Sequence, residues 1–330
     1  MRRSEKPRER HEGTCMKGSL KTFLSDLIDY AGLFPPAKLD MDKAVENYNR
    51  CKMGEHEFML GRFICPVSRL KEFSKAAAPL MPGTFATSGY RTGSEGLSDW
   101  QVSALIEGDI DKALDEIAAF NAHHSKEANG VAMVDQVELK VTDVNQIDAA
   151  LDILPEELLA FFEFPVSVGG AGDCRGFIAA LAGTGAGAKI RTGGVVANAF
   201  PTINEVAQFL HACAQADVPF KATAGLHHPV RSVHRLTYEK DAPTTKMHGF
   251  LNLFMAAAVL QAHDPDPAVT LAILGGEDPA DFKFSDTVLA WREHMVTVAD
   301  AAVARENFAL SFGSCSFDEP VEDLRALRLL

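Results

Sequence analysis

The chain has 330 residues, 47% hydrophobic and 23% charged, with a formal net charge of −13. That balance suits a globular protein long enough for a large core, and the acidity argues against nucleic acid or an anionic membrane as partner. No apolar run reaches the length of a membrane span, and the six cysteines include no C-x-x-C pair, so they read as reduced thiols of a cytoplasmic protein, not as a disulfide frame or zinc site.

Residues 1–18 are polar, lack the apolar stretch of a signal peptide and read as a disordered basic tail. The segment 19–55 reads as an N-terminal helical extension: a helix, an extended turn at Pro35-Pro36 and a second helix over 19–50. It either closes the bottom of the fold or brings Asp29 and Tyr30 to a site. Residues 58–66 predict a strand with a helix after it at 67–80, and 84–90 a short additional strand. The pattern repeats at 101–106 with 110–123, at 134–141 with 145–154, and at 158–165 with 174–183. Two lysine-bearing strands follow, at Lys189 and Lys221, enclosing a helix over 201–216. The apolar stretch 247–263 predicts a long helix that packs on the fold or on a partner subunit, so a homo-oligomer is one expected arrangement. A helix over 286–304 and a last strand over 308–314 complete the chain.

Strands alternating with helices of this length indicate parallel β-α-β units. With about eight strand candidates and no dinucleotide-binding glycine fingerprint, the α/β class resolves to one (β/α)8 TIM barrel over 19–330, with the N-terminal extension included.

Barrel enzymes carry their reacting groups at the C-terminal ends of the strands. Lys189 and Lys221 stand 32 residues apart at matching positions, each followed by a glycine turn. Side chains alternate along a strand, so Lys189 shares the inner face with Arg191, Lys221 with Thr223, and Glu138 with Lys140, while Glu163 ends its strand. Two ammonium groups on neighbouring strands crowd one another, and crowding with burial lowers a lysine's pKa and makes it a nucleophilic amine. The competing readings are plain: a strand-end lysine is usually a solvated charge, Glu138 and Glu163 serve equally as counter-ions, and Gly193, Gly194 and Gly225 make tight turns. His227, His228, His234 and His248 form a second group. Adjacent histidines on a strand point oppositely, which disfavours a shared metal, so no metal and no cofactor is expected and substrate binding or proton transfer is preferred for them. Cys315 reads either as a thiol made reactive by a helix N-terminus or as a small buried side chain.

The run Lys189-Ile-Arg-Thr-Gly-Gly-Val-Val-Ala-Asn, the run Phe220-Lys221-Ala-Thr-Ala-Gly-Leu and the terminal Phe312-Gly-Ser-Cys-Ser-Phe together resemble the deoxyribose-phosphate aldolases, class I aldolases on a (β/α)8 barrel. The resemblance covers about residues 134–226 and 305–317. It implies that Lys189 forms a Schiff base, that Lys221 tunes it, that Glu138 stands where the family has a catalytic aspartate and that Glu163 matches a strand-end glutamate. It also implies that the Gly225 turn and the Gly313-Ser314 backbone hold an anion. Arg191 in place of a small residue, and the histidine-bearing stretch after Lys221, depart from the family and point to a different substrate.

The expected activity is therefore an aldolase-like lyase on a small anionic carbonyl compound. Lys189, Lys221, Glu138 and Glu163 would be catalytic. Arg191, Thr192, Thr223, Gly225, His227, His228, Arg231, His248, Gly313, Ser314 and Cys315 would bind substrate. Two alternatives stand beside it: a non-covalent isomerase or hydrolase using histidine acid–base or metal chemistry, and a non-catalytic metabolite-binding protein.

Overall fold

A computed structural model of the protein describes residues 16–83, 99–166 and 173–330. Eight parallel strands close into a barrel: β1 (Ile28–Tyr30), β2 (Leu60–Pro66), β3 (Trp100–Ile106), β4 (Ala132–Lys140), β5 (Leu159–Glu163), β6 (Gly187–Arg191), β7 (Phe220–Thr223) and, returning to β1, the chain's last strand (Ala309–Ser314). The (β/α)8 reading of the sequence is therefore the observed fold. The expected strand at 84–90 and residues 1–15 lie outside the described residues.

The alternation of side chains sorts the barrel's contents. On β6, Ala188 and Ile190 face the helices and are fully buried, while Lys189 faces inward. On β7, Phe220 points outward against Phe209, Phe254 and Phe308, leaving Lys221 inside. Outer-face burial of such aromatic rings fixes the register, because a one-residue slip would put the lysines among the helices. The helices are α1 (Gly18–Leu24), α2 (Met41–Lys52), α3 (Leu70–Ala77), α4 (Ile110–His124), α5 (Asn145–Leu151), α6 (Cys174–Leu181) and α7 (Ile203–Gln215). A capping box closes the start of α7, where Thr202 and Glu205 exchange hydrogen bonds.

Two departures from the sequence reading concern the site. The segment 19–50 holds the two expected helices, α1 and α2, with the turn at Pro35-Pro36 between them, but it also contributes β1, the strand that closes the cylinder. Residues 286–304 are not one helix. Strands β10 (Phe282–Phe284), β11 (Val288–Trp291) and β12 (His294–Thr297) form a small antiparallel sheet, and α10 (Val298–Asn307) starts only at the Thr297 cap. The final barrel strand is thus β13 (Ala309–Ser314), followed by α11 (Asp318–Ala326). Between β7 and the apolar helix α8 (Phe250–His263) lies a hairpin of β8 (Ser232–Arg235) and β9 (Thr244–Met247) that reaches over the barrel mouth. Helix α8 is buried along nearly its whole length and packs on α7, α10 and α9 (Pro267–Gly275) of the same chain.

Candidate active site

Lys189 and Lys221 are direct register partners on neighbouring strands. Glu138, reaching in from β4, lies between them, with Oε2 2.6 Å from Lys189 Nζ and Oε1 2.6 Å from Lys221 Nζ. The contacts continue in both directions. Lys221 Nζ donates to Asp29 Oδ2 on β1 at 2.8 Å. Lys189 Nζ lies 2.7 Å from Glu163 Oε2 on β5, and Arg191 Nε donates to the other oxygen of Glu163 at 2.8 Å. Three carboxylates alternate with three cations across five strands, in the order Asp29, Lys221, Glu138, Lys189, Glu163, Arg191. Buried charges survive where each is paired and its remaining lone pairs are satisfied. Here Ser311 Oγ donates to Asp29 at 2.6 Å, Ser103 Oγ donates to Glu138 at 2.7 Å and Gln136 Nε2 donates to Ser103 at 2.7 Å. The Lys221 ammonium also sits 5.5 Å from the centre of the Phe161 ring.

The expected depression of the Lys189 pKa is reversed. Burial alone would lower it, but the Glu138 and Glu163 carboxylates outweigh burial and hold it above its ordinary value. The same contacts work on the partners. Burial would raise Glu138 and Glu163, yet the lysines, with Arg191 at Glu163, hold both below the usual carboxylate range. Like-charge crowding fails as the dominant effect because a carboxylate stands between the two amines.

Above this chain of charges opens a cavity of about 970 Å³. Its wall includes Lys189, Glu138, Glu163, Arg191, Lys140, Thr223, Gly225, His227, His228, Gly313 and Cys315, so the sequence brought most of the candidate residues to one place. Lys221 is fully buried behind them. Four others take structural partners and do not line the cavity. Thr192 Oγ1 donates to the Ala224 carbonyl at 2.6 Å, and Ser314 Oγ to the Ser316 carbonyl at 2.6 Å. Arg231 Nη1 donates to Glu277 at 2.6 Å, and His248 Nε2 to the Pro201 carbonyl at 2.8 Å. Among the described residues no group of three or more His, Cys, Asp or Glu side chains is arranged to hold a metal ion.

The matching glycine turns after the two lysines have a packing cause. A Cβ on Gly193 would sit 2.8 Å from the Gly225 Cα, and Gly225 itself has φ +74°, so the turns nest only as glycines.

Several site residues escaped the sequence. Asp29 is not among them, since the N-terminal segment offers it to a site, although its strand is three residues long and shows no periodicity. Tyr238, Arg235 and Glu319 also line the cavity. Tyr238 and Arg235 come from the hairpin region and Glu319 from α11, none of which had been read as part of the site. Arg235 and Lys140 form no ion pair among the described residues, and with Glu107 on the same wall they add two cations and one carboxylate to the neutral chain. His234, stacked on His228 with ring centres 3.3 Å apart, is drawn down to about 4 by burial and then by its neighbour.

No family model matches the chain, and no curated protein is significantly similar to it.

Proposed function

We propose that the barrel is a Schiff-base lyase, with Lys189 as the amine that attacks the carbonyl of a small anionic substrate. The observation that carries this reading is the placement of Lys189: an amine on the cavity wall with two carboxylates within 2.7 Å of its nitrogen. An ammonium must lose a proton before it attacks. Glu138 faces two ammonium groups and stays ionised; Glu163, at the end of β5, accepts the proton. The neutral amine then forms the C–N bond while the carbonyl π pair moves to oxygen. Glu163 returns its proton to that oxygen, and the hydroxyl leaves as water with a second proton from the nitrogen. The resulting iminium takes up the electrons of the adjacent C–C bond as an enamine, while the released fragment gives its hydroxyl proton to Glu163 and leaves as a carbonyl compound. Arg235 and Lys140 supply the charge for the substrate's anionic group in an otherwise acidic protein.

Borohydride trapping tests this. Incubation with short aldehydes and keto acids followed by reduction is expected to add mass to the Lys189 peptide, and Lys189→Arg is expected to abolish the adduct while keeping a cation between Glu138 and Glu163. No adduct with any carbonyl compound, together with turnover retained in Lys189→Arg, would move the reading to its rival. In that rival Lys189 acts as a permanent ammonium that polarises a carbonyl without bonding to it. The upward shift of its pKa favours that second reading.

A further inference from the structure

At the far wall of the same cavity stands a second constellation that the imine chemistry leaves unused. Cys315 follows β13 and has its Sγ 4.0 Å from His227 Nε2. The other ring nitrogen of His227, Nδ1, donates to Glu319 Oε2 on α11 at 2.9 Å. Tyr238 closes the group, donating to Glu319 Oε2 at 3.0 Å with its hydroxyl 3.7 Å from the thiol. Nucleophile, base and orienting carboxylate therefore stand in sequence, the arrangement that activates a weak nucleophile. Thiol–imidazole contacts run long before substrate binds.

The rest of the chain offers a contrast. Cys51, Cys65, Cys174 and Cys213 are buried, as Cys315 is; what sets Cys315 apart is what it faces. None of the four lines the cavity, and none has an imidazole hydrogen-bonded to it among the described residues. Cys315 borders both the large cavity and a smaller one of about 150 Å³ behind it.

We propose that Cys315 is a second nucleophile of this cavity, with His227 as its base and Glu319 as the positioning residue, and that it captures an aldehyde carbon as a reversible hemithioacetal. In that step the proton shared by the Cys315–His227 pair is held on the imidazole, the S–C bond forms as the carbonyl π pair moves to oxygen, and the imidazolium delivers that proton to the oxygen. No oxidant or further reactant is needed. The supporting electrostatics are consistent: burial would lower the His227 pKa, but Cys315 and Glu319 raise it to about 10. The titratable groups facing the thiol are Tyr30 from β1, Tyr238, His227 and Glu319, with His228 and Asp323 next to these. This inference shares the cavity with the proposed imine chemistry but not its amine, so the two fail separately.

Site-resolved alkylation of the full chain with iodoacetamide tests it. Cys315 is expected to react at least ~10-fold faster than any of the four buried thiols, and His227→Gln is expected to remove about tenfold or more of that rate. Glu319→Gln is expected to move the pH midpoint of the rate, where a merely structural role would lower the rate equally at every pH. In Lys189→Arg, which cannot form an imine, millimolar propionaldehyde is expected still to protect Cys315. Reaction no faster than at the buried cysteines, a rate indifferent to His227→Gln, or protection lost in Lys189→Arg would each overturn the proposal. A missing borohydride adduct at Lys189 beside a protected Cys315 would sink only the imine.

Discussion

Lys221 is the residue on which the barrel centre depends most. Its ammonium is fully buried and bonded to Asp29 and Glu138, themselves shielded from water. Lys221→Met removes the cation and leaves a surplus negative charge with no solvent to disperse it. Breaking a buried pair in this way costs about 3–5 kcal/mol, and urea denaturation of the variant is expected to show a loss of that size. A double variant, Lys221→Met with Asp29→Asn, is expected to recover part of it by restoring neutrality. At this scale the sequence was informative about which side chains meet and misleading about their electrostatics. Alternation places Lys189, Lys221 and Glu138 on inner faces and Glu163 at a strand end, and all four meet as found. Register is not visible in alternation, so nothing in the chain announced that Glu138 would come between the two amines and reverse the expected pKa direction at Lys189.

Among the elements, β1 and β2 show how a strand without pattern is nonetheless specified. Arg62 N donates to Asp29 Oδ1 at 2.8 Å, and a Cβ on Gly61 would lie 2.3 Å from that same oxygen. Gly61 is thus the space into which the Asp29 carboxylate fits. Gly61→Ala is expected to cost about 1–3 kcal/mol, as forced overpacking does, and to lower any Lys189-dependent activity, because Asp29 holds Lys221 and through it Glu138. Thermal unfolding alongside activity measures both. The strands that read clearly, such as β4 and β5, are long or densely apolar because both faces are covered. Those that were missed are short or antiparallel. The β11–β12 turn places Arg292 at φ 51°, with none of the glycine or asparagine that usually marks such a hairpin. Its apolar residues therefore merged with those of α10 into a false helix. The hairpin β8–β9, with Val233 exposed, Arg235 lining the cavity and Lys246 paired with Glu277, left no buried stripe to detect.

For the molecule as a whole, pH separates the two ends of the cavity. His227 has a folded pKa raised to about 10, so its contribution to stability is complete below its ordinary value near 6.5 and fades as pH rises from there through about 10. Wild type is therefore expected to lose its stability advantage over His227→Gln between pH 6.5 and 10, as urea midpoints at pH 6, 8 and 10 will show. Lys189, raised above 10.5, keeps its contribution across that window. Glu138 and Glu163 act at the other extreme: their depressed values give stability present above about 4.5 and lost on acidification below it. The barrel class and most of the cavity wall were legible because covered parallel strands and strand-end charges leave marks in a sequence; the strand order's closure through β1, and the hairpin above it, left none.

The row of shared charges has a consequence for anything that binds. Glu138 and Glu163 each hold two cations, Asp29 holds Lys221 beside the Ser311 hydroxyl, and both amines and the guanidinium are engaged in turn. Within the row a guest finds no idle ammonium: Glu163 must first take the proton that Lys189 holds and then turn to Arg191, the outermost and most exposed member. Entry and rearrangement are then one event, and the compounds admitted are those whose own oxygen can stand in for the glutamate that turns away.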